Sequence, residues 1–280
     1  MAVIQVVTDS ACDLSPAMAE EQGVQVVPLT IRFGDEEFVD RVELSPKEFW
    51  SRLTTSPVIP ETAAPSPGAF QKVFLDAAST GADGVVCITL SSAVSATYQA
   101  AVTAAATVES SIPVRVIDSN TLTMGLGLLV LAASDAAQAG RPLDSIVSEI
   151  ESLRSKTMVY GTIDTLEFLK RGGRIGGAAA MLGSLLSIKP VVVIRDGAVA
   201  LESRQRTRAR AGKYLIDKAV GAAPRERIAL SHGAVDDISE VVERLEQVPC
   251  AHELVVTELG PVVGTHAGPG SLGLAYQTAG

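Results

Sequence analysis

The sequence predicts an α/β fold in two domains, residues 1–155 and 156–280, with a largely parallel sheet in the first. Three observations lead there. Short apolar, β-branched runs alternate with helical patterns along the chain, which is the rhythm of strand–helix–strand units. Ser-Pro pairs open several of the helical stretches and glycines close them. A long helix from about Leu143 runs out near Ser155, just before a new strand-like run. The 280 residues suit two modest domains. A chain of this size buries roughly three-quarters of its unfolded surface, enough for an ample core and an internal cavity.

Strands are expected at Val3–Val7, Val24–Phe33, Gly84–Leu90, Pro113–Ile117, Thr157–Ile163, Val191–Ile194, Arg227–Leu230 and Leu254–Thr257. Ser15-Pro16, Ser45-Pro46 and Ser66-Pro67 each put an N-cap serine before a proline at the first helical position, where the missing N–H costs nothing. Glu48 stands three residues after Ser45 and completes a capping box. Gly23, Gly81 and Gly140 fall where helix C-caps belong. Thr54–Pro67, with prolines at 57, 60, 65 and 67, reads as an ordered extended loop. Arg171–Gly177 reads as a glycine-rich basic turn between two helical patterns.

Composition excludes several functions. Hydrophobic residues make up 47% of the chain but aromatics only 4%, so the core is aliphatic. The net charge is -9, and the one basic run, Arg204 to Lys213, sits within an acidic whole, so a nucleic-acid partner is not expected. Cys12, Cys87 and Cys250 are too few and too far apart for a disulfide framework or a CxxC metal site. The chain enters directly on Val3–Val7 without a signal-peptide pattern. Its longest apolar stretch, Leu122–Ala133, is too short to span a bilayer. A cytoplasmic protein without stable membrane insertion is expected.

The most informative local arrangement is Gly84–Ala101. An apolar strand runs into Ser91-Ser92-Ala93-Val94-Ser95-Ala96-Thr97 and then into a helical pattern. In parallel sheets ligands bind beyond the carboxyl ends of strands, and a helix N-terminus there offers free N–H groups to an anion. Thr8, Asp9 and Ser10 follow the first strand at the same edge, with Asp9 suited to an Asx-type turn. Gly268-Pro269-Gly270-Ser271-Leu272-Gly273 matches GxGxxG formally, but too few residues follow for a dinucleotide site, and it reads as a turn. Its leading edge carries Thr265-His266, a histidine able to donate to an anion; His232 has a similar strand-end setting and His252 reads as surface. The run Leu169–Ile175, with Arg171 and Arg174, is a second place for an anion. No phosphate-binding loop, nucleophile elbow or HExxH occurs. The residues themselves give an anion site at a sheet edge and no machinery for chemistry.

Seven segments in order, Thr8–Leu14, Pro65-Ser66-Pro67, Leu90–Gln99, Val116–Ser119, Thr165–Ile175, Ile188-Lys189-Pro190 and Gly264–Gly270, resemble the DegV family over nearly the whole chain. The resemblance implies a bacterial two-domain fatty-acid-binding protein with its ligand tunnel at or near the domain interface. It implies a bound fatty acid and no cofactor or metal. It also implies a separate fatty acid kinase subunit as partner, which phosphorylates the held carboxylate, and at most transient membrane contact. By position, Thr62, Ser95 and His266 match the carboxylate-binding set, Arg174 a residue near the head group, and Arg206 an arginine of kinase docking. Departures are Ala63-Ala64, Ala96 and Ala267, each replacing a polar or flexible residue of the pattern. Tunnel walls of Leu, Ile, Val and Met are expected. Two other readings remain open at this point. One is an acyl hydrolase with Ser95 as nucleophile, His266 as base and Asp9 or Asp118 orienting it. The other is a binder of a small polar carboxylate, with the same head-group site and no tail cavity.

Overall fold

A computed structural model describes residues 2–181, 188–221 and 225–278. Its first half runs β1 (Ile4–Asp9), a 3-10 turn (Ser10–Cys12), α1 (Pro16–Glu21), β2 (Val24–Val27), β3 (Thr30–Phe33) and β4 (Glu36–Val39). It continues with α2 (Pro46–Thr55), β5 (Glu61–Ala63), α3 (Pro67–Ser79), β6 (Gly84–Thr89) and α4 (Thr97–Val108). It closes with β7 (Val114–Asp118), α5 (Met124–Gln138) and α6 (Leu143–Arg154). The second half holds β8 (Thr157–Thr162), α7 (Glu167–Arg171), a 3-10 turn (Gly176–Met181), β9 (Lys189–Arg195) and β10 (Ala198–Gln205). After these come α8 (Arg208–Val220), β11 (Arg225–Gly233), α9 (Ser239–Glu246), β12 (Val255–Glu258), α10 (Pro261–Ala267) and β13 (Ser271–Thr278).

The fold is mixed α/β, as the alternation predicts. A wholly parallel sheet, β2-β1-β6-β7, forms the first half, and an antiparallel β4-β3-β5 sheet sits beside it. The second half is a six-stranded sheet, β10-β9-β8-β13-β11-β12, antiparallel except at β11–β12. Among the described strands, none from before Ser155 shares a sheet with one after it. Ser15, Ser45 and Ser66 each accept the backbone N–H of the third helical residue at 3.2–3.3 Å, with proline following. Gly23, Gly81 and Gly140 all adopt positive φ after their helices.

Four strands escape the sequence pattern and one expected strand is two. Val24–Phe33 breaks at Pro28, so β2 joins the parallel sheet while β3 turns into the antiparallel one. Pro28 has no N–H to give a ladder, which makes it a natural break. β4 opens on two glutamates followed by two apolar residues and β5 has three residues, so neither alternates legibly. β10 ends in Glu-Ser-Arg-Gln, and β13 opens directly on the glycine turn that disguised it.

The two halves are joined through α5. Every residue from Met124 to Ser134 is buried, and the helix packs on β1 and β6 on one side and on β8, β11 and β13 on the other. Two glycines make this approach possible. A Cβ on Gly125 would stand 2.3 Å from Val159 of β8, and one on Gly127 would stand 2.7 Å from the Cys12 carbonyl oxygen. The wedge predicts that Gly127→Ala destabilises the protein, although alanine is the better helix former. The backbone oxygen cannot swing aside, so a net loss of about 1–3 kcal/mol is expected in denaturant melts. A midpoint equal to or above wild type would show that the contact is not tight.

A second test concerns Asp40, just beyond β4. The residue is 1% exposed. Burial pushes its carboxyl up to about 7 from an ordinary 3.8, with neighbouring Ser10 and Arg41 pulling the other way. The folded state therefore holds a proton that the unfolded state has released, and the stability tied to it is full below about pH 3.8 and lost as pH rises through 7. Asp40→Asn should gain on wild type between these limits, by on the order of 1.4 kcal/mol per pH unit. Denaturant melts of both proteins at pH 5 and pH 7 check this, and a difference flat in pH would contradict it.

Candidate functional site

Thr62 lies in β5, paired in register with Ile31, inside the segment read as an extended loop. Ser95 stands in the turn between β6 and α4. Arg174 follows α7, and His266 sits in the last turn of α10. These four residues come from segments far apart in sequence, and the fold brings all of them to one cavity wall.

Each is held by its surroundings. α10 starts at Gly260, whose N–H donates to Asp13 Oδ1 at 2.8 Å, with Pro261 at its first position. The indole N–H of Trp50 donates to the Leu259 carbonyl at 3.2 Å and fixes the entry to the same helix. His266 Nε2 is 3.0 Å from Thr62 Oγ1. Its Nδ1 is buried without a partner. Arg174 donates from Nε to the Val94 carbonyl at 3.1 Å and from Nη1 to the Gly172 carbonyl at 2.6 Å. The first of these bonds ties the turn of the second half to the Ser91–Ser95 turn of the first. Ser95 Oγ is 2.8 Å from Thr97 Oγ1 and accepts the Thr97 N–H at 3.3 Å.

Burial, and then the nearby Arg174 charge, pushes the His266 imidazole down to about 4. The ring is therefore neutral near pH 7, and the positive charge of the site resides on Arg174. Among the described residues lining the cavity, Arg174 is the one that carries a charge at that pH. Most of the rest of the wall is aliphatic, with Tyr160, Thr123 and Ser271 set among it. Leu90, Val94 and Leu122 come from the first half and Val159, Val192 and Val199 from the second. No methionine is among the described lining residues, contrary to the expected Met-containing wall. Its few convergent polar groups in a mostly apolar wall have the make-up of a ligand site.

The serine-rich turn contributes less to the cavity than its four hydroxyls suggest. Ser91 Oγ accepts the Ala93 N–H at 3.2 Å, Ser92 is bound to Asp118, and Thr97 is fully buried. Ser95 is the hydroxyl of this turn that lines the cavity. No hydrolytic relay is assembled. Asp9 accepts the N–H groups of Ala11 at 3.0 Å and Leu90 at 2.7 Å, which makes it a backbone cap. Asp118 accepts from Ser92 and Asn120. The Ser95 hydroxyl bonds to Thr97 and the His266 ring to Thr62, so neither the serine–histidine nor the histidine–aspartate link is made.

Arg206 is exposed in the bend between β10 and α8, away from the cavity lining. The basic run is not one helix: Arg204 belongs to β10, and α8 begins only at Arg208, so Arg204, Arg206, Arg208 and Arg210 do not share helical faces. His232 lies within β11 and His252 near Glu226, and neither lines the cavity. Among the described residues, no group of three or more His, Cys, Asp or Glu is arranged to hold a metal ion, and no helix is long and apolar enough to cross a membrane. Sequence reasoning missed Gly172, against which the His266 ring packs, and Asp13, which places α10.

The comparisons with known proteins agree with this architecture. A family model described as "Uncharacterised protein, DegV family" matches residues 3–279. A DegV domain-containing protein of Streptomyces coelicolor is 37% identical over 280 residues and covers 98% of each chain. Among solved structures, a DegV family protein from Thermus thermophilus, described as fatty acid binding, is 34% identical with a TM-score of 0.89 over 99% of each chain. DegV of Bacillus subtilis, described as a fatty acid binding protein, is 28% identical with a TM-score of 0.88 over all of both chains. A stearic acid-binding protein from Eubacterium ventriosum is 27% identical with a TM-score of 0.90, covering 99% of this chain and 98% of that one. With the family model spanning nearly every residue and a full-length relative above one-third identity, the chain belongs to the DegV family.

Proposed function

We propose that the protein binds a long-chain fatty acid, with the tail in the aliphatic cavity and the carboxylate among Arg174, His266, Thr62 and Ser95. The observation that carries this reading is the distribution of charge: a mostly apolar chamber with one guanidinium on its wall beside a neutral imidazole. A monoanionic head group on an alkyl chain balances that single charge and fills the remainder. The descriptions of the Thermus, Bacillus and Eubacterium structures support it.

Affinity and orientation come from different parts of the ligand. Burial of a dozen methylenes contributes on the order of 10 kcal/mol gross. Hydrogen bonds to the carboxylate add roughly 1.5–3 kcal/mol each. Association and ordering subtract several kcal/mol. The head-group residues therefore fix where the carboxylate stands more than they fix the affinity. Placing a carboxylate so specifically is useful when a second protein acts on it, and we assign that role to a separate kinase subunit of the cytoplasm that phosphorylates the bound acyl group. The exposed Arg206 is the residue we assign to its docking.

Native mass spectrometry of freshly purified protein should show a co-purifying acyl chain. After delipidation, affinity should rise steadily from about eight carbons to a cut-off set by the tunnel end, each added methylene contributing ~0.8 kcal/mol gross. Affinity independent of chain length would turn the assignment toward a small polar carboxylate. Arg206→Ala should leave fatty-acid affinity unchanged and slow acyl-phosphate formation with the cognate kinase at sub-saturating protein, a defect that added salt mimics in wild type. Equal turnover of mutant and wild type would remove Arg206 from docking.

A further inference from the structure

We propose that Gly172 is the positioning residue of the head-group site: by carrying no side chain it lets the His266 ring stand against the turn after α7, leaving Nε2 as the edge that meets Thr62. The proposal rests on the fatty-acid reading for its consequence in binding, but the geometry stands without it.

A Cβ on Gly172 would lie 2.1 Å from His266 Nδ1 and 2.6 Å from Cε1. No side chain fits there while the ring keeps its place. The backbone gives no other reason for glycine, because Gly172 has an ordinary right-handed φ of -71. Its neighbour Gly173 is the reverse case, with φ +70 and open space within 4 Å of a Cβ. Two adjacent glycines thus serve different ends, the second the shape of the turn and the first the histidine.

The contact has chemical consequences. Nδ1 is sealed from solvent and has no hydrogen-bond partner, so the ring can bond outward through Nε2, which it does at 3.0 Å to Thr62. The Gly172 carbonyl accepts Arg174 Nη1 at 2.6 Å. One residue therefore places both the neutral ring and the guanidinium. A second interlock keeps the turn and α10 in register: a Cβ on Gly268 would stand 2.4 Å from the Phe168 ring. The head-group site is in this sense a single unit of α7, its following turn and α10.

The test begins without ligand. Titration of the His266 imidazole by NMR in the delipidated protein should give a value near 4 in wild type. In Gly172→Ala, with the ring displaced toward solvent, it should move toward the ordinary 6.5. Palmitate affinity should fall roughly tenfold or more in Gly172→Ala. The same substitution made in a His266→Ala background should cost little further, because the collision is gone. An unmoved titration, or a palmitate penalty of equal size with and without His266, would overturn the proposal. If the titration moves but wild type fails to bind palmitate, the positioning role stands and the fatty-acid assignment falls.

Discussion

Asp13 has no solvent access, and its two carboxylate oxygens accept from three separate parts of the chain. Arg41 Nη2 donates at 3.0 Å, the Gly260 N–H at 2.8 Å and the Thr123 hydroxyl at 2.6 Å. Its own carbonyl accepts the Thr257 hydroxyl at 2.8 Å. Burial pushes the carboxyl above its usual range, and Arg41 is the largest influence against that. Removing one member of such a buried pair costs about 3–5 kcal/mol, because the other charge is left uncompensated. What it secures here is position. It holds the start of α10, and hence His266, and it holds Thr123 in a backbone geometry, φ 48 and ψ -143, that a β-branched residue adopts only under constraint.

The head-group site is thus organised from behind. Asp13 and Trp50 of the first half fix the entry to α10. Arg174 of the second half reaches back to the Val94 carbonyl. Each half supplies the other's anchor, so the head-group site needs both. Arg174 uses two of its donors on backbone carbonyls, which fixes the guanidinium before any ligand arrives and lowers the entropy lost on binding.

Much of this was legible in the residues, and the rest was hidden for physical reasons. Capping chemistry is local, so Ser15, Ser45 and Ser66 and their prolines could be read directly. The parallel sheet could be read because its central strands, such as fully buried β6, are continuous apolar runs. β13 could not, since Gly273 and Ala275 are small and the strand opens on a glycine turn, although it sits between β8 and β11. At the site, no sequence pattern joins Thr62 to His266; they meet because β5 and α10 flank one cavity, and only the family likeness pointed to both. Gly172 was visible as part of a basic glycine turn, but nothing in the local sequence separates a glycine required by its own φ from one required by a distant ring.

The position of β13 has a consequence for how the molecule is made. During synthesis the first half emerges well before Ser271, at roughly 5–20 residues per second. By then α5 can settle on β1 and β6, but its opposite face, shared by β8, β11 and β13, still lacks the strand that lies between the other two. β8 likewise has one of its two neighbours only once β13 leaves the ribosome. The apolar chamber and its histidine arrive in the same final stretch, α10 followed by β13. The nascent chain therefore carries a partly covered aliphatic face until that stretch docks, and the binding site closes in the same step that joins β8 to β11.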